Sequence, residues 1–594
     1  MRIPVRILLV ALVLVFPAPG AKHHVLLNRF RSPEIALFVA DGNGANERAL
    51  TKHQESEYSP TLSADGRWAV FTSEKGGQSD IYRVHPDGAG LEQLTDSPAF
   101  DDQGTLSPDG KTLAFVSTRE GGFANIWLLD LATKKYRNLT KGAAGNFRPA
   151  WSPDGRWIAF SSDRDAPESV RPEQWELLQS TGIYMVHPDG TGLRRLTRTG
   201  GVAGSPAWSP DGTKILFYET DELGAYLAKS AGSRTELASV DVKTGERKMM
   251  SASNETKISP QWLPEGRLGY VIRGTGPRAG LNIWNPDRTV NTVVKGLIRH
   301  PSWSTDGKQV VYERVLNPAS TEHLIPTASL DPDFELTLSE PFPAFSPDGR
   351  KLLYSKYGNN GTGTSDTSIQ IMNADGSGES TLFHKDGYSA FDSVWSPVGD
   401  VIAFCVGKYF RAPGRPASQI ALIQPDGSGF RVVADDGVNN GFPSWSPDGK
   451  RLVYKRGKQL AILTLADGNV FELTDGSHYD NFPQWSPKGE IMFTSDREGL
   501  FKLFTIHPDG TGLKRLTTGT RSDAHSVWSN DGEWIVFSSG RKGFKDEMAL
   551  YDGVPQPYGE IFAMRADGSD VRQLTDNKWE DASPGWVPEL PTKK

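Results

Sequence analysis

The chain has 594 residues, a formal net charge of −7 and a single cysteine, Cys405. The negative charge argues against nucleic acid and anionic membrane surfaces as partners. One cysteine excludes an intrachain disulfide, so a protein of this size must be held together by packing.

The first predicted element is a secretory signal peptide at residues 1–20. Arg2 and Arg6 precede an apolar stretch at 7–16, and Ala18-Pro19-Gly20 offers small residues for cleavage. The apolar stretch is too short to span a bilayer. We therefore expect an extracytoplasmic protein without a membrane span, periplasmic if the source is Gram-negative and secreted otherwise.

Residues 24–51 follow and read as the last three strands of a repeat. Two apolar runs, 25–27 and 35–39, are followed by the turn Asp41-Gly42 and a short third strand. Because such a segment lacks a first strand, we expect residues 582–590 at the other end of the chain to supply it. A shared sheet of this kind would remove exposed strand edges.

A tetrapeptide, Ser-Pro-Asp-Gly or a degraded copy, then returns about every 40 to 60 residues, a period typical of repeat architectures. A Trp or Phe usually precedes it. The eleven copies begin at Ser63, Ser107, Ser152, Ser209, Leu263, Ser304, Ser346, Ser396, Ser446, Ser486 and Ser529.

The copy at residues 149–197 predicts four strands. Pro153-Asp154-Gly155 is a turn between the first two. The apolar run Trp157–Phe160 suits a strand covered on both faces, and Asp189-Gly190 is a strong hairpin signal. Each repeat therefore predicts a four-stranded antiparallel sheet. Radial stacking of such sheets covers both faces, which makes a β-propeller. A solenoid is the alternative, but it needs capping ends that the sequence does not display.

Eleven repeats and two half-repeats predict an all-β protein of twelve blades, arranged as two six-bladed rings. The first ring would span residues 21–298 and be closed by the C-terminal strand at 582–590. The second ring would span 299–581. Seven plus five blades, or a nested arrangement, are the alternatives.

Two further motifs carry a resemblance to a known family. Leu-Thr pairs close several repeats, as at Leu94-Thr95 and Leu574-Thr575, and the loop entry 160–164 returns at 493–497. With the Ser-Pro-Asp-Gly turns, these resemble the TolB-type β-propeller family, whose WD40-like (PD40) repeats carry the same signals. The resemblance implies a propeller fold. It leaves function open, because the family includes envelope-complex proteins, non-catalytic peptidase propellers and some enzymes. The chain departs from it in having about twice the repeats of one six-bladed ring.

Sequence motifs for chemistry are absent. The chain has no Gly-X-Ser-X-Gly elbow, His-Glu-X-X-His sequence, P-loop or cysteine-based metal pattern. We therefore assign no catalytic residue, expect no cofactor or metal, and consider an enzyme less consistent with the sequence than a binding protein.

Long insertions mark one face of the propellers. They follow the second strand of several repeats, at residues 163–182, 219–235, 356–367, 407–418 and 540–559. Binding sites favour variable loops on a rigid scaffold, and residues just before each inner strand should line the channel mouth on the same face. For each of these residues, bonding to neighbouring loops or water is the alternative. The candidate binding residues at the mouths and in the long loops are Asp101, Asp102, Arg148, Trp175, His300, Tyr409, Asp480, Asp523, His525 and Asp581.

Two functions remain. The first is a non-catalytic binding scaffold that recognises a protein or an envelope polymer such as a polysaccharide through the long-loop face. The second is a carbohydrate-active enzyme, a lyase or hydrolase on acidic polysaccharide. There Arg148 or Arg299 would neutralise a uronate, and His300 or His525 would transfer the proton. A His that contacts an Arg and a carboxylate would favour the enzyme, whereas an aromatic rim would favour the scaffold. The sequence does not define the oligomeric state.

Overall fold

The structure is a computed structural model that describes residues 23–30, 34–51, 56–75, 78–166, 180–221, 234–251, 254–274, 276–317, 324–356, 367–407, 417–519, 521–543, 547 and 559–588. These residues form twelve sheets of four strands each and one 3-10 turn, Pro264–Gly266. The signal peptide predicted at residues 1–20 lies outside the described part of the chain.

Six sheets, here called the first group, pair in the orders β24-β25-β2-β3, β4-β5-β6-β7, β8-β9-β10-β11, β12-β13-β14-β15, β16-β17-β18-β19 and β20-β21-β22-β23. Their strands are β2 (Glu34–Asp41), β3 (Arg48–Ala49), β4 (Glu57–Leu62), β5 (Ala69–Ser73), β6 (Asp80–Val84), β7 (Glu92–Gln93), β8 (Asp101–Leu106), β9 (Thr112–Ser117), β10 (Asn125–Asp130), β11 (Tyr136–Asn138), β12 (Asn146–Trp151), β13 (Ile158–Ser162), β14 (Gly182–Val186), β15 (Arg194–Arg195), β16 (Gly201–Trp208), β17 (Lys214–Asp221), β18 (Glu236–Asp241), β19 (Arg247–Met249), β20 (Thr256–Trp262), β21 (Leu268–Arg273), β22 (Gly280–Trp284), β23 (Val290–Lys295), β24 (Ile298–Trp303) and β25 (Gln309–Asn317).

The other six sheets, here called the second group, pair in the orders β48-β1-β27-β26, β28-β29-β30-β31, β32-β33-β34-β35, β36-β37-β38-β39, β40-β41-β42-β43 and β44-β45-β46-β47. Their strands are β1 (His23–Phe30), β26 (Ile325–Thr327), β27 (Phe334–Ser339), β28 (Ala344–Phe345), β29 (Lys351–Lys356), β30 (Ser368–Asn373), β31 (Ser380–Phe383), β32 (Ser389–Trp395), β33 (Ile402–Gly407), β34 (Gln419–Ile423), β35 (Arg431–Ala434), β36 (Asn440–Trp445), β37 (Arg451–Arg456), β38 (Gln459–Thr464), β39 (Val470–Glu472), β40 (Asp480–Trp485), β41 (Ile491–Ser495), β42 (Lys502–Ile506), β43 (Lys514–Arg515), β44 (Asp523–Trp528), β45 (Trp534–Ser539), β46 (Glu560–Arg565), β47 (Arg572–Gln573) and β48 (Glu580–Trp586).

The Ser-Pro-Asp-Gly motif forms the predicted turn. In the copy at Ser152, the serine Oγ donates to Asp154 Oδ1 at 2.6 Å and accepts from the Trp157 backbone N–H at 2.9 Å. Gly155 has φ 71°, a left-handed conformation that glycine adopts without a steric penalty. Side chain and glycine thus close the turn together, which confirms the hairpin that the motif predicts.

The hydrophobic core lies between neighbouring sheets. Ile126 and Leu128 of β10 pack against Ile158 and Phe160 of β13 in one cluster, and similar clusters fill the other interfaces. All five residues of β13 are buried. The continuous apolar strands therefore have both faces covered, as expected for stacked blades.

The N-terminal strand joins the two ends of the chain. β48 pairs antiparallel with β1, as the sequence predicts. The expectation that β1, β2 and β3 share one sheet with β48 is wrong, because β1 pairs in parallel with β27 on its other side, whereas β2 pairs with β25. Val25, Leu26 and Leu27 are all buried. Three successive apolar residues suit the position of β1 inside a sheet, because the strand has neighbours on both edges.

Contacts between inner strands show which sheets are neighbours within each group. In the first group β24 contacts β4, and contacts continue through β8, β12, β16 and β20 back to β24. In the second group β48 contacts β28 and β44. These contacts lead us to propose two six-bladed rings, one built from β2–β25 and the other from β1 with β26–β48. The division at residue 298, with 582–590 closing the first ring, stays a prediction that these pairings do not favour.

Eleven of the twelve inner strands bear a bulge at an equivalent position, and Phe342 marks the same position just before the short strand β28. The register shifts by bulges such as those between Phe147 and Ala150 and between Arg299 and Ser302. A residue near each bulge has a left-handed backbone although it is not glycine. These residues are Ser59, Gln103, Arg148, Ser205, Ser259 and His300 in the first group, and Phe342, Asp392, Phe442, Phe482, His525 and Ser583 in the second. Bulges redirect side chains and often occur next to functional sites.

Candidate functional site

The bulge residues of the first group meet at its centre. Arg148 Nη2 lies 2.8 Å from His300 Nε2. Their strands, β12 and β24, are separated by two sheets on either side in the order of contacts, so this hydrogen bond crosses the middle of the group. The Arg148 backbone N–H also donates to Gln103 Oε1 at 2.7 Å. The centre of the first group is therefore polar and internally bonded.

The same hydrogen bond fixes the tautomer of His300. Arginine has only donors, so His300 Nε2 accepts and the ring proton must sit on Nδ1. His300 Nδ1 lies 2.5 Å from Glu313 Oε1, which also accepts the Ser59 backbone N–H at 2.5 Å. His300 Nδ1 thus donates to a buried carboxylate.

Glu313 is fully buried on β25 and is ionised. Burial alone would raise the pKa of its carboxyl, but the hydrogen bond from His300 and attraction from the nearby Lys578 and Arg299 cations hold that pKa well below its usual range. A buried carboxylate of this kind needs its partners, because removing one leaves an uncompensated charge. Arg148, His300 and Glu313 form a connected unit, here called the central triad.

A residue from the second group enters this centre. The Glu547 carboxylate accepts the Ser205 backbone N–H at 2.8 Å, the Ser205 hydroxyl at 2.7 Å and the Ser161 hydroxyl. Arg148 Nε lies 3.9 Å from Glu547 Oε1. Glu547 is 4% exposed, so its carboxylate is largely shielded from water beside these first-group donors.

Other contacts join the groups around this point. The Gly543 backbone N–H donates to Gly122 O at 2.7 Å, and Trp579 Nε1 donates to Glu74 at 3.2 Å. The Lys578 ammonium lies 4.1 Å from the Tyr58 ring centroid. Since Glu74 and Gly122 follow second strands, the long-loop face of the first group is covered here by the second group.

The centre of the second group is aromatic. Phe482 lies 4.4 Å from Phe442 and 4.3 Å from His525 between ring centroids. Phe342 and Phe391 extend the row, at 6.5 and 5.8 Å from Phe442. Phe342, Phe482 and His525 remain partly exposed. These five residues, here called the aromatic row, contrast with the polar centre of the first group.

Burial shifts the titration of groups near the aromatic row. It raises the pKa of Asp392 to about 7, lowers that of His525 to about 4 and lowers that of Lys455 to about 8. The buried Cys405 accepts the Phe442 backbone N–H at 3.1 Å, and burial raises its thiol pKa well above the ordinary value. A protonated, inert thiol follows, because burial opposes formation of the thiolate.

Four of the predicted binding carboxylates are buried in ion pairs with arginines. Each lies in an inner strand, and its arginine belongs to or follows a neighbouring strand of the same sheet. This geometry favours a role in blade structure, and binding by these carboxylates stays a prediction. The pairs are Asp101 with Arg119 at 2.6 Å, Asp480 with Arg497 at 3.0 Å, Asp523 with Arg541 at 2.8 Å and Asp581 with Arg29 at 2.8 Å.

The remaining predicted residues divide into four sets. Arg148 and His300 come together in the central triad, and His525 lies in the aromatic row. Asp102 is buried and accepts the Thr72 hydroxyl and the Gln103 backbone N–H, both at 2.7 Å. Trp175 and Tyr409 lie outside the described residues.

Sequence reasoning missed Glu313, Glu547, Ser205 and the phenylalanines of the aromatic row. The bulge residues could have been found from the sequence, because nine of them stand three positions before a tryptophan, as Arg148 does before Trp151. Glu547 has no such signal, because it belongs to a segment without a counterpart in other repeats. Within the described ranges, no cluster of three or more His, Cys, Asp or Glu side chains could hold a metal ion.

Twelve four-stranded sheets with apolar interfaces and bulged inner strands define a β-propeller protein. A family model described as "TolB beta propeller domain" matches residues 18–123, 97–170 and 366–588, more than half of the chain. The chain therefore belongs to the TolB β-propeller domain family.

The chain spans only part of the length of the curated relatives that it matches. A TolB homolog of Chlorobium luteolum is 32% identical over 148 residues, which are 25% of this chain and 30% of that protein. The Tol-Pal system protein TolB of Francisella tularensis is 25% identical over 279 residues, 45% of this chain and 59% of that protein. A TolB structure from Agrobacterium tumefaciens covers 48% of this chain and 98% of its own, at 23% identity and a TM-score of 0.38.

None of the helices among the described residues is both long and apolar enough to cross a membrane.

Proposed function

We propose that this protein is a non-catalytic, extracytoplasmic scaffold that binds another protein. The observation that carries the proposal is the aromatic row at the centre of the second group. Partly exposed aromatic rings on a rigid sheet are typical of the centre of a protein interface, where aromatic residues provide most of the binding energy. Kinship with proteins named for the Tol-Pal system supports an envelope protein as the partner.

The binding surface is the second group's inner-strand mouth rather than the whole long-loop face. Contacts through Gly543, Glu547 and Trp579 already cover part of that face in the first group. Phe342, Phe482 and His525 are partly exposed; Phe482 contacts His525, and Phe442 connects Phe482 to Phe342. An apolar side chain of the partner inserted here would be desolvated among rings without having to displace a charge.

The test uses the protein as bait in an extract of the cell envelope from its source. Phe482→Ala shortens the aromatic row, and Phe471→Ala removes an exposed phenylalanine from the outer strand β39, where it is 48% exposed. A partner recovered by the parent and Phe471→Ala but not by Phe482→Ala, with all three melting alike, supports the proposal. The recovered protein is then purified and its Kd measured for each bait, and equal Kd values would contradict the proposal.

A second function, a carbohydrate-active enzyme on acidic polysaccharide, is favoured by the central triad. There a histidine does contact an arginine and a carboxylate. Both ring nitrogens of His300 are engaged, however, and Glu547 lies against Arg148. The assay is incubation with polygalacturonate while following unsaturated product by ultraviolet absorbance and new reducing ends chemically. Turnover abolished by His300→Gln would favour the enzyme over the scaffold.

A further inference from the structure

The contacts of Glu547 describe a built anion site. Its carboxylate receives one backbone N–H and two hydroxyls, from Ser205 and Ser161, while the Arg148 guanidinium lies beside it. Hydrogen bonds to a charged group are stronger than those between neutral groups, and here water is largely excluded. Four donor groups from three strands, β12, β13 and β16, thus converge on one carboxylate.

The backbone leaves room for this carboxylate at one position. A Cβ atom built on Gly204 would lie 2.6 Å from Glu547 Oε2 and 2.4 Å from Tyr218 Oη. Any larger residue there would fill the space that the carboxylate occupies. Ser205, the next residue, has the left-handed φ of 51° and supplies both its N–H and its hydroxyl.

The donors described for this site belong to the first group, whereas its occupant belongs to the second. Glu547 stands between β45 and β46 of the second group. Arg521 of the second group also pairs with Asp163 of the first at 3.6 Å, close to the site in sequence. The carboxylate is thus bound across an interface, as a ligand from another molecule would be.

We propose that the centre of the first group is a carboxylate-binding site, with Glu547 as its resident ligand and a carboxylate of another protein as its competing ligand. A protein carboxylate is favoured over a uronate because the present occupant is a glutamate side chain. In the intact chain Glu547 competes as a tethered ligand, so an external carboxylate binds the parent weakly. The inference goes beyond the proposed function, because it concerns the other group and needs no partner at the aromatic row.

The experiment is rescue by a small carboxylate. Glu547→Ala removes the equivalent of acetate and leaves the donors in place. Melting of the full chain is followed in sodium acetate and in sodium chloride of equal ionic strength. We expect the variant to melt below the parent and about 200 mM acetate to raise its Tm by about 2 °C or more, since a ligand that binds only the folded state stabilises it.

Two controls are matched to this variant. Glu533→Ala removes a glutamate that is 56% exposed in its side chain and pairs with Lys488, and acetate should not raise its Tm. The parent should not respond either, because its site is filled. An acetate response that is equal in all three proteins, or absent from Glu547→Ala, would overturn the proposal.

A further variant keeps the test decisive if Glu547→Ala does not melt cooperatively. Glu547→Gln preserves volume and loses the charge, so its Tm should fall without any response to acetate. A Tm equal to that of the parent at pH 7 would overturn the proposal, because charge would then contribute nothing.

Titration of Glu547→Ala with N-acetylglutamate amide and with galacturonate identifies the source of the competing carboxylate, a protein or a polysaccharide. Tighter binding of galacturonate would overturn the protein assignment.

Discussion

The guanidinium of Arg148 and the imidazole of His300 meet at 2.8 Å across the middle of the first group. This hydrogen bond ties together two inner strands that lie far apart in sequence and on opposite sides of the group. It also holds His300 in the tautomer that donates to Glu313.

Replacing His300 should destabilise the first group. His300→Phe leaves the buried Glu313 without one of its two close donors, and we expect the free energy of unfolding to fall by about 3 kcal/mol. Urea unfolding, with hydrogen exchange to identify the first group, measures the loss. His384→Phe is the control, because His384 pairs with the fully exposed Asp386 and its loss should change stability by about 0.5 kcal/mol or less. Similar losses in both variants would contradict the triad.

The buried Asp–Arg pairs should prove structural. Asp523 is fully buried and pairs with Arg541 at 2.8 Å and Lys502 at 3.3 Å. Asp523→Asn should cost about 3 kcal/mol of stability and leave partner affinity unchanged below the melting transition. Glu498→Gln, which breaks an exposed pair with Arg515, provides the comparison for stability. A variant that melts normally but loses its partner would instead support Asp523 as a binding residue.

Asp392 should make stability fall as pH rises. Burial raises its pKa to about 7 in the folded protein, whereas in the unfolded chain it is about 3.9. Between these values the folded state holds a proton that the unfolded state has lost, so the parent becomes less stable as pH rises from 4 to 7. Asp392→Asn removes this effect. We expect the variant to be more stable than the parent by about 1–2 kcal/mol at pH 8 and equal to it near pH 4, as measured by urea unfolding. A constant difference across this range would refute the prediction.

His525 should act in the opposite direction. Burial lowers its pKa to about 4, and the unfolded value is about 6.5. Between these values the unfolded chain binds a proton that the folded state does not, so the parent loses stability as pH falls. From pH 7 to pH 5 the loss should be about 1–2 kcal/mol larger in the parent than in His525→Phe, which also extends the aromatic row. Parallel pH profiles of the two proteins would count against a buried, neutral His525.

The position of β1 predicts which part of the protein depends on it. Leu27 is fully buried between β27 and β48. Leu27→Asp should remove hydrogen-exchange protection from 334–339 and 580–586 while protection at 298–317 persists. Leu91→Asp is the control, because Leu91 is 54% exposed. Equal loss of protection in both groups would show that they do not unfold separately.

The repeat predicted the local structure well because its signals are local. The Ser152 turn depends on contacts within five residues, and the strand after it on an apolar run. The partner of β1 could not be predicted in this way. An apolar strand can pair with the edge strand of more than one sheet, and its sequence does not distinguish parallel from antiparallel pairing. For the site, sequence found Arg148, His300 and His525 by their place before the inner strand. It assigned binding to Asp101 and its equivalents without their arginine partners, which stand 17 or 18 residues away, or 552 for Asp581, where sequence does not reveal a contact.

The route of the chain through its sheets sets an order for folding during synthesis. The first group contains only strands between residues 34 and 317, so all its sheets can pair once β25 has emerged. The sheet β48-β1-β27-β26 needs the first strand of the chain and the last one together. β1 is therefore made first and can pair with β27 early, but its other edge must stay unaggregated until residue 586 is available. A nascent chain of this protein should need a chaperone for β1 more than for any segment of the first group.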